Sequence, residues 1–307
     1  MRLSLLGLVL LPSVAFTQTR EIDEAIQRRR ETLKFIASLE TPQGGFALAP
    51  QPPNIDAIPQ PSLRATSGAV RAWKYLGGEQ LGAKFPNKDR HSEFVLRCFD
   101  PNTGGFAEPG GQPDVTITSI GVMAAVELGI PREKFAKAMD YLKDHAKTFE
   151  EVRIAAAAVE AWGVKDCPFD LKPWFKIAED FAATPAGDPQ DGQARNTASL
   201  VAMLLRLGKP LPEGHNVLKL IKPGQRADGG WSKPGENASD IETTYRVMRA
   251  LVLLKEKPND LKKLRAFVES HRNTDGGYAT KPGEKSSMSG VYYAAVISKW
   301  LDEMEKN

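Results

Sequence analysis

Apolar residues recur along this chain with the period of a helix, in two alternating styles. Residues 132–143, 170–183 and 260–271 are one-sided. Phe135, Met139 and Leu142 share one face of the first, Leu171, Trp174, Ala178 and Phe181 one face of the second, and Leu261, Leu264 and Val268 one face of the third. Residues 117–128, 154–162, 198–207 and 247–254 are instead apolar almost all round. A one-sided helix needs a single neighbour, whereas an apolar cylinder has to be covered on several sides. The alternation therefore predicts an outer ring of helices wrapped about an inner ring. Inner helices centred near Val70, Val122, Ala157, Val201, Met248 and Val296 give about six copies. Gly77, Gly129, Gly163 and Gly208 follow these runs, where left-handed C-terminal caps belong.

Four turns punctuate the copies: Gly44-Gly45-Phe46, Gly104-Gly105-Phe106, Gly229-Gly230-Trp231 and Gly276-Gly277-Tyr278. Paired glycines permit positive φ and close backbone approach, and the aromatic is expected to pack between neighbouring hairpins. Asn102-Thr103, Asp228 and Asp275 precede the glycines and supply side-chain oxygens suited to a turn. The third and fourth copies lack the pair, and Asp191-Gly192-Gln193 reads as a degenerate remnant. A helical hairpin cannot bury its apolar face alone, so the copies must stack. The expected fold is all-α, an α/α toroid of about six helical hairpins around a central cavity, occupying residues 20–307 as one domain. An open solenoid of the same hairpins is the alternative.

Composition narrows the function classes. Hydrophobic residues at 41% and charged residues at 26% suffice for a sizeable core. A net charge of +3, with no basic stripe interleaved with aromatics, argues against a nucleic-acid partner. Arg2, the apolar run 3–11 and the small residues of Pro12-Ser13-Val14-Ala15 describe a signal peptide, taken as residues 1–17. The mature protein is thus expected to be exported, secreted or periplasmic. That run is too short for a stable membrane span, and no other stretch approaches it. Cys98 and Cys167 sit among apolar residues and read as buried free thiols.

Gln225-Arg226-Ala227-Asp228-Gly229-Gly230-Trp231 resembles the QW-type repeat of squalene and other terpene cyclases. Gly104-Gly105-Phe106 and Asp275-Gly276-Gly277-Tyr278, each leading into a small-residue helix, resemble the repeats of protein prenyltransferase β-subunits. The resemblance implies a toroid enclosing an apolar and aromatic cavity for an isoprenoid chain, with catalytic groups where inner helices begin. It implies a zinc site only if an Asp-x-Cys pair and a later histidine are present. Here the matching place reads Asp240-Ile241-Glu242, and the next inner helix begins Ser287-Met288-Ser289-Gly290, so neither metal nor other cofactor is expected.

Hopene-type cyclases use an Asp-x-Asp-Asp cluster, of which Asp240 and Glu242 preserve two acids; these are the candidate catalytic residues. Ser239-Asp240-Ile241-Glu242 also reads as a Ser-x-x-Glu capping box, and Asp114 as an N-cap. An anionic ligand group would need convergent cations and hydroxyls, for which Arg195, Arg246, Tyr245 and Tyr292 are the candidates, with Arg64 beside them. The expected partner is an apolar small molecule or isoprenoid; a protein partner stays open. Two other functions fit the same chain. A carbohydrate-active barrel would draw on Asp114, Glu150, Glu151, Asp240 and Glu242 as paired carboxylates, and a non-catalytic scaffold would use the concave face.

Overall fold

A computed structural model describes residues 13–52, 58–182 and 192–306 of the chain. The signal-peptide reading falls largely on residues 1–12, and Asp191 of the degenerate turn falls on 183–191, both outside the described residues. Six helical hairpins follow one another, each an outer helix and then an inner one. They are α1 (Ser13–Ser38) with α2 (Leu63–Tyr75), α3 (Lys88–Arg97) with α4 (Val115–Glu127), and α5 (Lys137–His145) with α6 (Phe149–Trp162). Then come α7 (Lys172–Ala182) with α8 (Gln193–Arg206), the short α9 (Val217–Ile221) with α10 (Ile241–Leu253), and α11 (Leu261–Glu269) with α12 (Met288–Lys306). Among the inner helices α2 packs on α4, α4 on α6, α6 on α8, α8 on α10, α10 on α12, and α12 returns to α2. The ring is closed, and the solenoid alternative falls.

The double-glycine turns set the spacing between hairpins. Each joins an outer helix to its inner partner and leans on the outer helix of the next hairpin. A side chain at Gly44 would meet the carbonyl oxygen of Arg90, and one at Gly45 the ring of Phe94, both on α3. Lys137 and Tyr141 on α5, and Lys263 and Phe267 on α11, take the same two roles for the second and third turns. For the last turn the partners are Glu31 and Phe35, on α1. The first hairpin therefore receives the last as every other receives its predecessor. Thr32 Oγ1 donates to Gly276 O at 2.8 Å, and the ion pairs Arg272–Glu31 and Arg29–Asp302 flank the seam.

The aromatic of each turn fills the space between the rings. Phe46, Phe106 and Trp231 are fully buried, each contributing roughly 1.5–3 kcal/mol of transfer free energy. Their backbone N–H groups donate to Thr66, Thr118 and Thr244 in the first turns of α2, α4 and α10, at 3.0, 3.0 and 3.1 Å. The expected turn oxygens are in use: Asp228 Oδ1 accepts from Gly230 N at 3.0 Å and Asp275 Oδ1 from Gly277 N at 2.9 Å.

Several boundaries differ from the sequence reading. The inner helices begin well before their apolar runs, α6 at Phe149 and α10 at Ile241, because their first turns carry charged residues turned to the ring centre. Residues 132–143 divide into a 3-10 turn, Arg132–Lys134, and α5. The cap of α10 is Asp240, accepting from Thr243 N at 2.9 Å, rather than Ser239, whose hydroxyl donates to Asp228 at 2.8 Å. A complete capping box occurs instead at Thr148 and Glu151, at the start of α6.

Gly77, Gly129 and Gly208 do end their helices in the left-handed conformation, with the following N–H groups returning to Trp73, Ala125 and Leu204. At α10, Lys255 takes that conformation in place of a glycine (φ 57°).

Ring closure can be tested at one atom. Gly276 has φ 82°, and a Cβ there would lie 2.9 Å from the Glu31 carbonyl oxygen, whereas Gly283 has the same φ with nothing within 4 Å. Gly283→Ala is expected to cost about 1–2 kcal/mol from left-handed strain alone. Gly276→Ala should cost more, since α1 must also move away. Urea unfolding of both variants measures the difference.

Candidate functional site: an arginine-lined central cavity

The six inner helices surround a cavity of about 380 Å³. Every hairpin runs outer to inner, so all six inner helices start at the same end of the ring, and their positive dipole ends gather at the cavity mouth. The repeat fixes which residues face inward. Arg64, Ser67, Gly68 and Arg71 on α2 line the cavity, as do Glu242, Tyr245, Arg246 and Arg249 on α10. These stand at identical steps from the caps Ser62 and Asp240. The spacing is one stripe of a helix, and from Arg64 to Arg71 or from Glu242 to Arg249 it descends about 10 Å. The cavity thus has a mouth near Arg64 and Glu242 and a floor near Arg71 and Arg249.

An apolar and aromatic lining, as the resemblance implied, is found on only part of the wall. Ile120 and Met123 on α4 with Ile154 and Ala157 on α6 form that part. Elsewhere the lining is strongly charged: Arg64, Arg71, Arg153, Arg206, Arg246 and Arg249 against Glu150, Glu151 and Glu242.

At the mouth the charges are matched. Arg246 donates to Glu242 at 2.6 and 3.1 Å and, across the opening, to Glu150 at 3.1 Å. Glu150 also accepts from Arg153 at 3.0 Å. Burial would raise both carboxyls, yet the neighbouring arginines outweigh it and hold Glu150 and Glu242 below the usual carboxylate range. The two acids are therefore ionised at neutral pH. Glu151 caps α6 through Thr148.

The floor is different. Arg71 lies over the Tyr292 ring at 4.9 Å and reaches Met123 Sδ at 3.5 Å. Arg249 lies over Trp300 at 4.7 Å and Tyr245 at 5.9 Å, with its buried Nε lacking a hydrogen-bond partner. Arg206 has Glu160 at 3.2 Å. Removing a guanidinium from water costs several kcal/mol, and a cation–π contact returns about 2. The remaining compensation is Tyr245, whose hydroxyl is 3.2 Å from that of Tyr292. Burial opposes ionisation of Tyr245, but Arg249, Arg206 and Arg71 together hold its phenol well below the usual value. Tyr292 is pushed the other way, up, chiefly by burial, with Tyr245 adding to it against the pull of Arg71.

Seven of the residues singled out from sequence meet in this cavity: Arg64, Glu150, Glu151, Glu242, Tyr245, Arg246 and Tyr292. Asp240 lies outside the lining, engaged as the cap of α10 with its Oδ2 buried and unpartnered. Arg195 also stands behind the lining, in the field of Arg246, Glu150 and Glu242. Sequence reasoning missed Arg71, Arg153, Arg206 and Arg249. Arg71 and Arg249 did leave a signal, an arginine among apolar residues at the same step from the cap in α2 and α10. Among the described residues no group of histidine, cysteine or acidic side chains is placed to hold a metal. His91 and His271 are structural: the first accepts from Gly45 N at 2.9 Å, the second meets Phe267 O at 2.8 Å.

The floor predicts an unusual titration. Tyr245 is faced by Arg71 from α2, Arg153 from α6, Arg206 from α8, Arg249 from its own helix, and Tyr292 and Tyr293 from α12, while Tyr75 from α2 acts on Tyr292. Its lowered phenol adds stability that is fully present above the unfolded-state value near 10 and is lost as pH falls through the folded value. Tyrosinate absorbance should show one phenol titrating below about 10 in the wild type. The step should vanish in Tyr245→Phe and move back up in Arg249→Met. Its survival in Tyr245→Phe would give the charge to another tyrosine.

Comparison with known proteins gives this ring its relatives. The prenyltransferase alpha-alpha toroid domain matches residues 69–138 and 135–306. No curated protein matches the chain. Among solved structures, the type II terpene cyclase MstE from Scytonema is similar with a TM-score of 0.61 at 11% identity, over 93% of this chain and 99% of its own. A protein from Actinoplanes gives 0.60 at 13% identity, over 92% and 99%. The Candida albicans protein geranylgeranyltransferase-I complexed with GGPP gives 0.58 at 13%, over 79% and 85%. A variant of MstE is in complex with its substrate, geranylgeranyl dihydroxybenzoate, with a TM-score of 0.59 at 10% identity over 94% and 100%. At such identities the structures share the fold alone. The family match, which runs through nearly the whole ring, carries the assignment: this chain belongs to the prenyltransferase α/α toroid family.

Proposed function

We propose that the central cavity binds a small amphiphilic anion, an isoprenoid or similar apolar chain carrying an acidic head. The observation that carries this reading is the excess of arginine over glutamate around one cavity that also has an apolar wall. A wholly apolar guest would leave the buried guanidinium groups short of counter-charge, which is the costlier arrangement. The substrate of the similar cyclase MstE, geranylgeranyl dihydroxybenzoate, joins such a chain to an acid, and that supports the reading by analogy. Within it Glu242 and Glu150 orient Arg246, and Asp240 fixes the start of α10.

A carbohydrate-active reading gains nothing from the geometry. Glu150 and Glu242 share Arg246 and are both held ionised, so neither is the protonated acid that glycoside cleavage needs.

Calorimetric titration with farnesyl diphosphate, farnesol and inorganic diphosphate tests the binding. Farnesyl diphosphate is expected to bind best, and Arg249→Met should weaken it roughly tenfold or more, as loss of one charge-assisted contact does. Farnesol binding as well as its diphosphate would sink the reading.

Export is part of the proposal and rests on Arg2 and the apolar run 3–11. Expression of the full chain in a secreting bacterial host, followed by N-terminal sequencing, should yield protein cleaved near residue 17 outside the cytoplasm. Intact protein beginning at Met1 and confined to the cytoplasm would remove it.

A further inference from the structure

We propose that the ligand enters the cavity head first, its anionic group seated at the floor among Arg71, Arg206 and Arg249 and its apolar chain directed back toward the mouth. The proposal rests on the binding reading above and adds an orientation to it. The difference between the two ends of the cavity supplies the reason.

Mouth cations are already engaged. Arg246 is held by Glu242 and Glu150, and Arg153 by Glu150, while Arg64 is exposed to water. An anion stopping there would displace these pairs and face Glu150 and Glu242 directly. The floor offers the opposite. Arg71 and Arg249 touch only ring faces and a methionine sulfur, and Arg206 has a single carboxylate, Glu160, at a position outside the cavity lining. The Nε of Arg249 is buried without a hydrogen-bond partner, and that of Arg206 has Glu160 alone, at 3.2 Å. Ring faces stabilise a cation without neutralising it, and Glu160 with the lowered phenol of Tyr245 cannot offset three guanidinium groups, so the floor keeps a positive excess in a site poor in water. The Tyr292 hydroxyl beside the same arginines completes a donor set for a phosphate or carboxylate head, and Tyr245 adds a second once that head replaces it as their counter-charge and it takes up a proton from solvent.

Hydrocarbon would fare badly at this floor, since it would seal the guanidinium groups from solvent with nothing in exchange. It fits better above, against Ile120 and Ile154, between the floor and the ring of helix starts. The descent of about 10 Å from Arg64 to Arg71 takes the head and the near part of the chain in line, with the remote end of a farnesyl-length chain at the mouth.

Photolabelling of the wild-type protein decides the orientation. The probe is a farnesyl-length prenyl diphosphate with a diazirine at the end of the chain remote from the diphosphate, and labelled peptides are mapped by mass spectrometry. Head-first binding is expected to label the mouth, around residues 64–68, Thr116 and Ser289, with inorganic diphosphate suppressing the label. Label around Met123, Arg206 and Arg249 would overturn the orientation while leaving the binding reading in place. Absence of any saturable label or binding would overturn both.

A second arm measures the affinity of inorganic diphosphate for variants shown to be folded. Arg71→Met and Arg249→Met should each weaken it roughly tenfold or more, and Arg64→Met should leave it within about twofold. The reverse ranking would place the head at the mouth.

Discussion

Backbone can pack against backbone only where side chains are missing, and the ring is built on that steric fact. At each double-glycine turn the chain comes so near the next outer helix that even a single methyl group would collide with a helix carbonyl. One contact used four times, always with residues a helical turn apart on the receiving helix, repeats the relation between successive hairpins. Repetition of one rotation gives either a spiral or a circle. Here the last turn finds Glu31 and Phe35 on α1, and the path closes. Where the glycine pair is missing, between α5 and α6, the capping box of Thr148 and Glu151 starts the inner helix instead.

Closure has an electrostatic consequence. Six inner helices pointing the same way bring their positive ends to one rim and their equivalent side chains to one axis. Substitutions that would be scattered on an open surface become neighbours. Arg71 and Arg249, far apart in the chain, face the same pair of tyrosines because α2 and α10 repeat one register on either side of α12. In a dry enclosure their charge needs an answer, and the lowered phenol of Tyr245 is the answer available within the chain. A bound anion would supply the same compensation from outside.

Much of the architecture was legible because its signals are local. Helical period separates Phe135, Met139 and Leu142 from the all-round apolar stretch after Ile117, and burial of both kinds follows. Turn chemistry at Asp228 and Asp275 and the cap at Asp114 are also short-range matters, and all are found in place. Where two local rules competed, the reading erred: Ser239 and Asp240 both suit an N-cap, and the choice fell to Asp228, which engages the serine. Helix starts were misjudged for a related reason. A charged first turn looks like a loop until something is known to lie opposite it.

The sequence by itself determined the number of hairpins, their division into inner and outer helices and the glycine turns that join them, because each depends on residues within a few positions of one another. Only the tertiary structure decided that the ring closes and that Arg71, Arg206, Arg249, Tyr245 and Tyr292 surround one hollow. Those facts depend on the rotation of every inner helix about its axis and on contacts between residues hundreds of positions apart. An arginine within an apolar helix reads the same whether it snorkels to water or meets its counterparts at the centre of a ring. The direction of its side chain separates the two, and packing fixes that direction.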